Sequence, residues 1–144
     1  MELDTFPKIL RANYQKYGDK KIAMRRKDLG IWNKYTWKDY YGNVKYFGLG
    51  LLSMGFKKGD RIGLIGDNDP EWFWAELAAQ AVGGIPFGMY VDSMPPEIKY
   101  YLEHSEARFI VAQDEEQVDK VLSLEEEIPD MKKVIYWDPK GLRS

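Results

Sequence analysis

Gly59-Asp60-Arg61-Ile62-Gly63-Leu64-Ile65-Gly66 runs into Asp67-Asn68-Asp69-Pro70-Glu71-Trp72, and an alanine-rich apolar stretch follows to Val82. The first block is a short apolar run bounded by glycines, the pattern of a buried strand. The second block carries helix-start chemistry. Asp69 suits an N-cap, Pro70 the first helical position, and Glu71 the positive end of the helix dipole. Gly83-Gly84 stops that helix, and Ile85 to Tyr90 forms a second apolar run. A strand, a helix and a second strand at this spacing predict a parallel β-α-β unit. The helix interior (Trp72, Phe73, Ala75, Leu77, Ala78, Ala79, Ala81 and Val82) is apolar almost all round, so burial on most sides is expected.

The same alternation continues downstream, with helices near 95–105 and 114–126 and strands near 108–112 and 133–137. Strand starts near 62, 85, 109 and 134 have the even spacing of repeated strand–helix crossovers. Upstream, residues 5–17 read as a helix with Phe6, Ile9, Leu10 and Tyr14 or Tyr17 on one face, ended by Gly18-Asp19. Two strands near 20–27 and 31–35 join through Asp28-Leu29-Gly30, good hairpin-turn chemistry. Thr36 then reads as an N-cap with Asp39 as its capping-box partner. The helix after it puts Tyr40, Tyr41, Val44, Phe47, Leu51 and Leu52 on a broad face, and Gly55 stops it. The expected organisation is one α/β unit over 1–144. Residues 1–58 supply a helix, a hairpin and a helix, and 59–144 supply repeated β-α units on a mostly parallel sheet with helices on both faces.

Composition narrows the function. The chain has the size of one ordinary domain and, at 44% hydrophobic and 15% aromatic, enough apolar material for a real core. Net charge is −2 with no Lys/Arg block, which argues against a nucleic-acid partner. Zero cysteines exclude a disulfide scaffold and any thiolate nucleophile or metal ligand. The lone histidine, His104, has no ligand companion and is read as structural or surface. Met1-Glu2-Leu3-Asp4 lacks a signal-peptide pattern. Trp72 to Val91, interrupted by Glu76, Gln80, Gly83-Gly84 and Pro86, reads as helix plus strand, so no transmembrane segment is expected.

Several glycines imitate ligand motifs. Gly48-Leu49-Gly50 lies inside a helix and follows no strand, so close helix packing is the better reading than a dinucleotide fingerprint. Gly50 to Gly55 has phosphate-loop spacing, but Phe56 stands where lysine belongs. Gly63 and Gly66 are read as places where a neighbouring helix comes close. Glu125-Glu126-Glu127 is a solvated helix face. Asp67, Asp92 and Asp114 each follow a strand, where a parallel sheet gathers residues able to hold magnesium or meet phosphate. Helix capping explains such acids more simply, and suits Asp69 and Asp114.

Six strings in order carry a resemblance. They are Gly30-Ile31-Trp32 to Thr36-Trp37-Lys38-Asp39-Tyr40; Gly50-Leu51 to Lys58-Gly59-Asp60-Arg61; Asn68-Asp69-Pro70-Glu71-Trp72; Ala81-Val82-Gly83-Gly84-Ile85-Pro86; Tyr90-Val91-Asp92-Ser93; and His104-Ser105-Glu106-Ala107. Together they resemble the start of an AMP-forming acyl-CoA synthetase of the adenylate-forming superfamily. The last two are most similar to the long-chain fatty acid branch.

The resemblance implies a two-step ligation. A carboxylate attacks the α-phosphate of ATP, and coenzyme A then displaces AMP. It implies ATP, Mg2+ and coenzyme A for the whole enzyme and none bound to this chain. It implies no catalytic residue here, because the Ser/Thr/Gly-rich phosphate loop, the later acidic and aromatic segments and the C-terminal lysine of the family have no counterpart in the sequence. It places Tyr90, Val91, Asp92 and Ser93, ahead of the helix start at Pro95-Pro96-Glu97, on the coenzyme A side, where free helix-start amides attract anions. The expected partners are downstream domains of the same parent chain, with fatty acid, ATP and coenzyme A in the parent. The expected setting is the cytoplasm, with peripheral membrane contact left open, and self-association of the isolated piece is expected. The alternatives are a free-standing receiver-like or flavodoxin-like nucleotide- or phosphate-binding module, or an oligomerisation module.

Overall fold

The structure is a computed structural model, and residues 2–142 are described. Chain order is α1 (Phe6–Tyr17), β1 (Ile22–Asp28), β2 (Ile31–Thr36), α2 (Trp37–Ser53), β3 (Arg61–Ile65), α3 (Pro70–Ala81), β4 (Ile85–Met89), α4 (Pro95–Ser105), β5 (Phe109–Ala112), α5 (Glu115–Leu122) and β6 (Lys133–Tyr136). β1 and β2 pair antiparallel as a separate hairpin, while the main sheet has the order β4-β3-β5-β6 with every pair parallel.

Alternation along the central strands divides the core between two faces. Ile62, Leu64, Phe109 and Val111 point to one side, where they pack with Leu10, Val44, Leu51 and Ala75, Ala78 and Ala79 of α1, α2 and α3. Ile65, Ile110 and Ala112 point to the other, against Ile98 and Leu102 of α4 and Val118 and Val121 of α5. Both faces are covered, as a parallel sheet requires. Gly48 carries part of the helix packing: a Cβ there would meet Val82 Cγ1 at 3.5 Å and Ala78 O at 3.8 Å. The fingerprint-like glycines are thus, at Gly48, a helix contact.

The caps of α1 and α2 behave as their chemistry dictates. Thr5 caps α1, accepting from Lys8 N–H. The Thr36 capping box is complete: Asp39 N–H donates to Thr36 Oγ1 at 3.2 Å and Thr36 N–H donates to Asp39 Oδ2 at 2.9 Å. In the hairpin, Asp28 pairs with Ile31, and both turn residues have positive φ, Leu29 at 49° and Gly30 at 80°.

Several expectations need correction. Leu52 is half exposed and Phe6 is 62% exposed, so the apolar faces of α2 and α1 are narrower than the periodicity suggests. α5 ends at Leu122, and 123–127 continue as turns rather than helix. Gly63 does not admit a helix. A Cβ there would meet Met89 Cε at 3.0 Å and Phe87 Cζ at 3.1 Å, side chains of the neighbouring strand. Gly66 admits an indole: its Cβ would stand 2.5 Å from Trp137 Cη2 and 2.8 Å from Gln113 Cβ.

Candidate functional site at the carboxyl edge of the sheet

Parallel strands end together, so the loops after β3, β4, β5 and β6 converge on one edge. After β3, the chain turns through Asp67 and enters α3 on one face. After β4 and β5 it enters α4 and α5 on the other face. The strand order matches the first four strands of the doubly wound order 2-1-3-4-5, whose ligand crevice lies between the strands corresponding to β3 and β5.

That crevice is filled by the chain's own groups. Asp67 N–H donates to Gln113 Oε1 at 2.7 Å, and Gln113 Nε2 donates back to Asp67 Oδ2 at 3.3 Å. The Trp137 ring lies on Gly66, and its Nε1–H donates to Asp69 Oδ2 at 3.3 Å. Asp69 stands at the N-cap of α3 with extended backbone, yet its side chain makes no cap bond. Its carboxylate is instead shared between Trp137 and Arg26 of β1, whose Nε is 3.7 Å away. Capping therefore describes Asp114, which accepts from Gln117 N–H at 3.3 Å, but not Asp69. Asp67 is tied to Gln113, Asp92 is exposed, and the described residues contain no group of three or more acidic or histidine side chains able to hold a metal ion.

The open space at this edge lies one strand over. A cleft of about 450 Å³ sits between the ends of β3 and β4, lined by Gly66, Asp67, Asn68, Trp72, Gly88, Met89, Tyr90 and Val91. Its only formal charge is the Asp67 carboxylate, and no lysine or arginine lines it. Gly88 is required here because Trp72 packs on it; a Cβ would meet the ring at 2.9 Å. A larger cavity, about 600 Å³, lies at the opposite edge beside Arg61, Arg108 and Glu106. It faces the amino ends of the strands, away from the converging loops, and the smaller cleft is the better placed for a ligand.

The sequence-derived residues fall on the loop that borders this cleft. Tyr90 is 84% exposed and Val91 lines the cleft. Asp92 is exposed, and Ser93 is buried at 3% with its N–H donating to Tyr90 O at 3.0 Å. Tyr90 and Val91 thus share the cleft with Asp67, while Asp92 and Ser93 are not among its lining residues. The free-amide argument fails at the start of α4. Pro95 and Pro96 have no N–H, and the Glu97 and Ile98 amides already donate to Met94 O at 2.9 and 3.1 Å. Sequence reasoning missed Gln113, which a strand-end position beside Asp114 could have signalled. It also missed Trp137 as a crevice plug and Lys120, whose Nζ donates to Val91 O at 2.7 Å; neither has a local signal.

His104 stacks on Tyr100, with ring centroids 5.6 Å apart, on the exposed end of α4, in line with a structural or surface role. No helix among the described residues is long and apolar enough to cross a membrane.

Comparison with known proteins gives a consistent picture. The family model described as AMP-binding enzyme matches residues 10–143. A long-chain-fatty-acid–CoA ligase of Xenopus laevis, ACSBG2, is 28% identical over 133 residues, which is 92% of this chain and 18% of that protein. Among solved structures, the anthranilate CoA ligase AuaEII in complex with anthranoyl-AMP superposes with a TM-score of 0.80 at 20% identity, over 91% of this chain and 24% of that one. A benzoate CoA ligase from Burkholderia xenovorans LB400 superposes with a TM-score of 0.77 at 26% identity, over 96% of this chain and 27% of that one. The chain thus spans about a fifth to a quarter of the length of these three proteins.

Proposed function

The chain belongs to the AMP-binding enzyme family, and from that premise we propose that it is the N-terminal scaffold segment of a longer, ATP-dependent acyl-CoA synthetase. The parent activates a long-chain fatty acid as acyl-AMP and transfers the acyl group to coenzyme A. The observation that carries this reading is the family match over nearly the whole chain, joined to relatives of which the chain covers a fifth or less.

The chemistry needs such a division. A carboxylate becomes a useful acyl donor only when one oxygen leaves as part of a phosphate ester, and adenylation stabilises developing charge with preorganised donors. The described residues do not fit a triphosphate or its Mg2+. The cleft beside β3 and β4 carries one carboxylate and no cation, the start of α4 lacks two amides, and the crevice between β3 and β5 is plugged. ATP, Mg2+ and the reacting centre are therefore assigned to segments outside this sequence, and no catalytic step is assigned to this chain. Its contribution is a rigid two-faced sheet that backs those segments and sets the Tyr90–Ser93 loop at the border of the coenzyme A side. The parent acts in the cytoplasm or at a membrane surface, where fatty acids partition.

The filled crevice weighs against a free-standing receiver-like or flavodoxin-like module, which needs that space for its ligand. The decisive measurement is fatty-acid-dependent exchange of labelled pyrophosphate into ATP. We expect none from the 144-residue chain and robust exchange from a full-length relative run in parallel. Exchange by the chain alone, above the no-enzyme background, overturns the scaffold reading.

A further inference from the structure

The loop between β4 and α4 has little of its own to hold it. Its internal hydrogen bond is Ser93 N–H to Tyr90 O, Met94 gives α4 no side-chain cap, and the two prolines remove helix-start donors. Among the described residues, the side-chain hydrogen bond tying this loop to another element comes from Lys120 on α5. The Lys120 side chain is only 14% exposed, unusual for an ammonium group. Its Nζ donates to Val91 O at 2.7 Å and to Gln117 Oε1 at 3.2 Å, with Glu116 Oε1 at 3.7 Å. Gln117 is itself 4% exposed. Two hydrogen-bond acceptors and one nearby carboxylate face the ammonium, so its charge is compensated where burial would otherwise make it costly.

A lysine that served only helix solubility would extend into water, and a purely apolar contact would not need a charge. We propose that Lys120 is a positioning residue: its ammonium holds the Val91 carbonyl and thereby sets the conformation of the Tyr90–Ser93 loop. The inference rests on the reading above for its functional meaning, but the clasp itself stands on geometry. Charge-assisted bonds to a main-chain oxygen are directional and strong for their length. Without it, the hydrogen bond left in the loop is the Ser93–Tyr90 turn bond, beside the packing of the buried Ser93.

The test compares Lys120→Met, which keeps most of the stem and removes the charge, with Lys120→Arg, which keeps the charge. Amide hydrogen exchange on the chain should rise about tenfold or more at Ser93 in K120M. It should stay near wild type in K120R, with β3 and β5 amides unchanged in both. Unchanged exchange at Ser93 overturns the proposal. So does a rise shared equally by β3 and β5, because that marks general destabilisation. The same pair is then placed in a full-length synthetase. K120M should raise KM for coenzyme A about threefold or more with kcat within about twofold, and K120R should restore it. If Ser93 responds while KM for coenzyme A does not, the clasp stands and the coenzyme A placement of the loop falls.

Discussion

Single residues show how far local chemistry reaches. Leu29 occupies a left-handed turn position that glycine or asparagine would take without strain, and it is 95% exposed, so nothing in the packing demands leucine there. Gly66 has the opposite character: the space its missing Cβ leaves is taken by Trp137. The sequence shows a glycine at a strand end but not which side chain arrives from 71 positions later. Tyr40 gives a pH prediction. Burial, and after it the Glu76 carboxylate, push its hydroxyl up to about 12 from the usual value near 10. The folded state thus favours the neutral phenol. That stability is complete below pH ~10 and is lost as pH rises toward ~12. Chemical denaturation of the wild type and Tyr40→Phe across that window should show a steeper loss for the wild type. Equal slopes would mean the hydroxyl is not held neutral by the fold.

Elements obey their own punctuation more faithfully than their faces obey periodicity. The start of α2 was legible because Thr36 and Asp39 meet within one turn, and every bond of the box lies between neighbours in sequence. Thr36 Oγ1 also donates to Asp19 Oδ1 at 2.9 Å, joining the cap to the end of α1. Thr36→Ala should therefore destabilise the chain by ~1 kcal/mol, while Thr36→Ser should cost much less. A thermal or urea midpoint for the two variants checks this, and equal midpoints would show the cap contributes nothing. The faces were harder. Leu51 is fully buried and Leu52 half exposed, although both fall on the broad apolar stripe of α2. Which of them is covered depends on where α1, α3 and the sheet lie. At α3, Asp69 has the right residue type and backbone for a cap, yet its carboxylate is drawn away to Trp137 and Arg26. Partners from distant elements outcompeted the local one.

At the scale of the whole molecule, the sheet ends in two open edges, β4 and β6, and Tyr136 and Ile85 on them are about half exposed. Open edges with apolar side chains favour pairing with another chain. We expect the 16.8 kDa chain to self-associate at high concentration. Tyr136→Lys, which places a charge on the edge of β6, should weaken this. Light scattering coupled to gel filtration decides it, and a monomer at every concentration removes the expectation. Element order, the parallel sheet, the hairpin, the capping box and the family are all legible in the chain alone, because each rests on residues close in the chain or on strings read in order. The tertiary packing alone set the open cleft between the ends of β3 and β4, closed the crevice between β3 and β5 with Gln113 and Trp137, and brought Lys120 to the Val91 carbonyl. Those outcomes join groups 29 to 68 residues apart. These groups meet through the packing of distant elements, and no local spacing in the chain encodes that meeting.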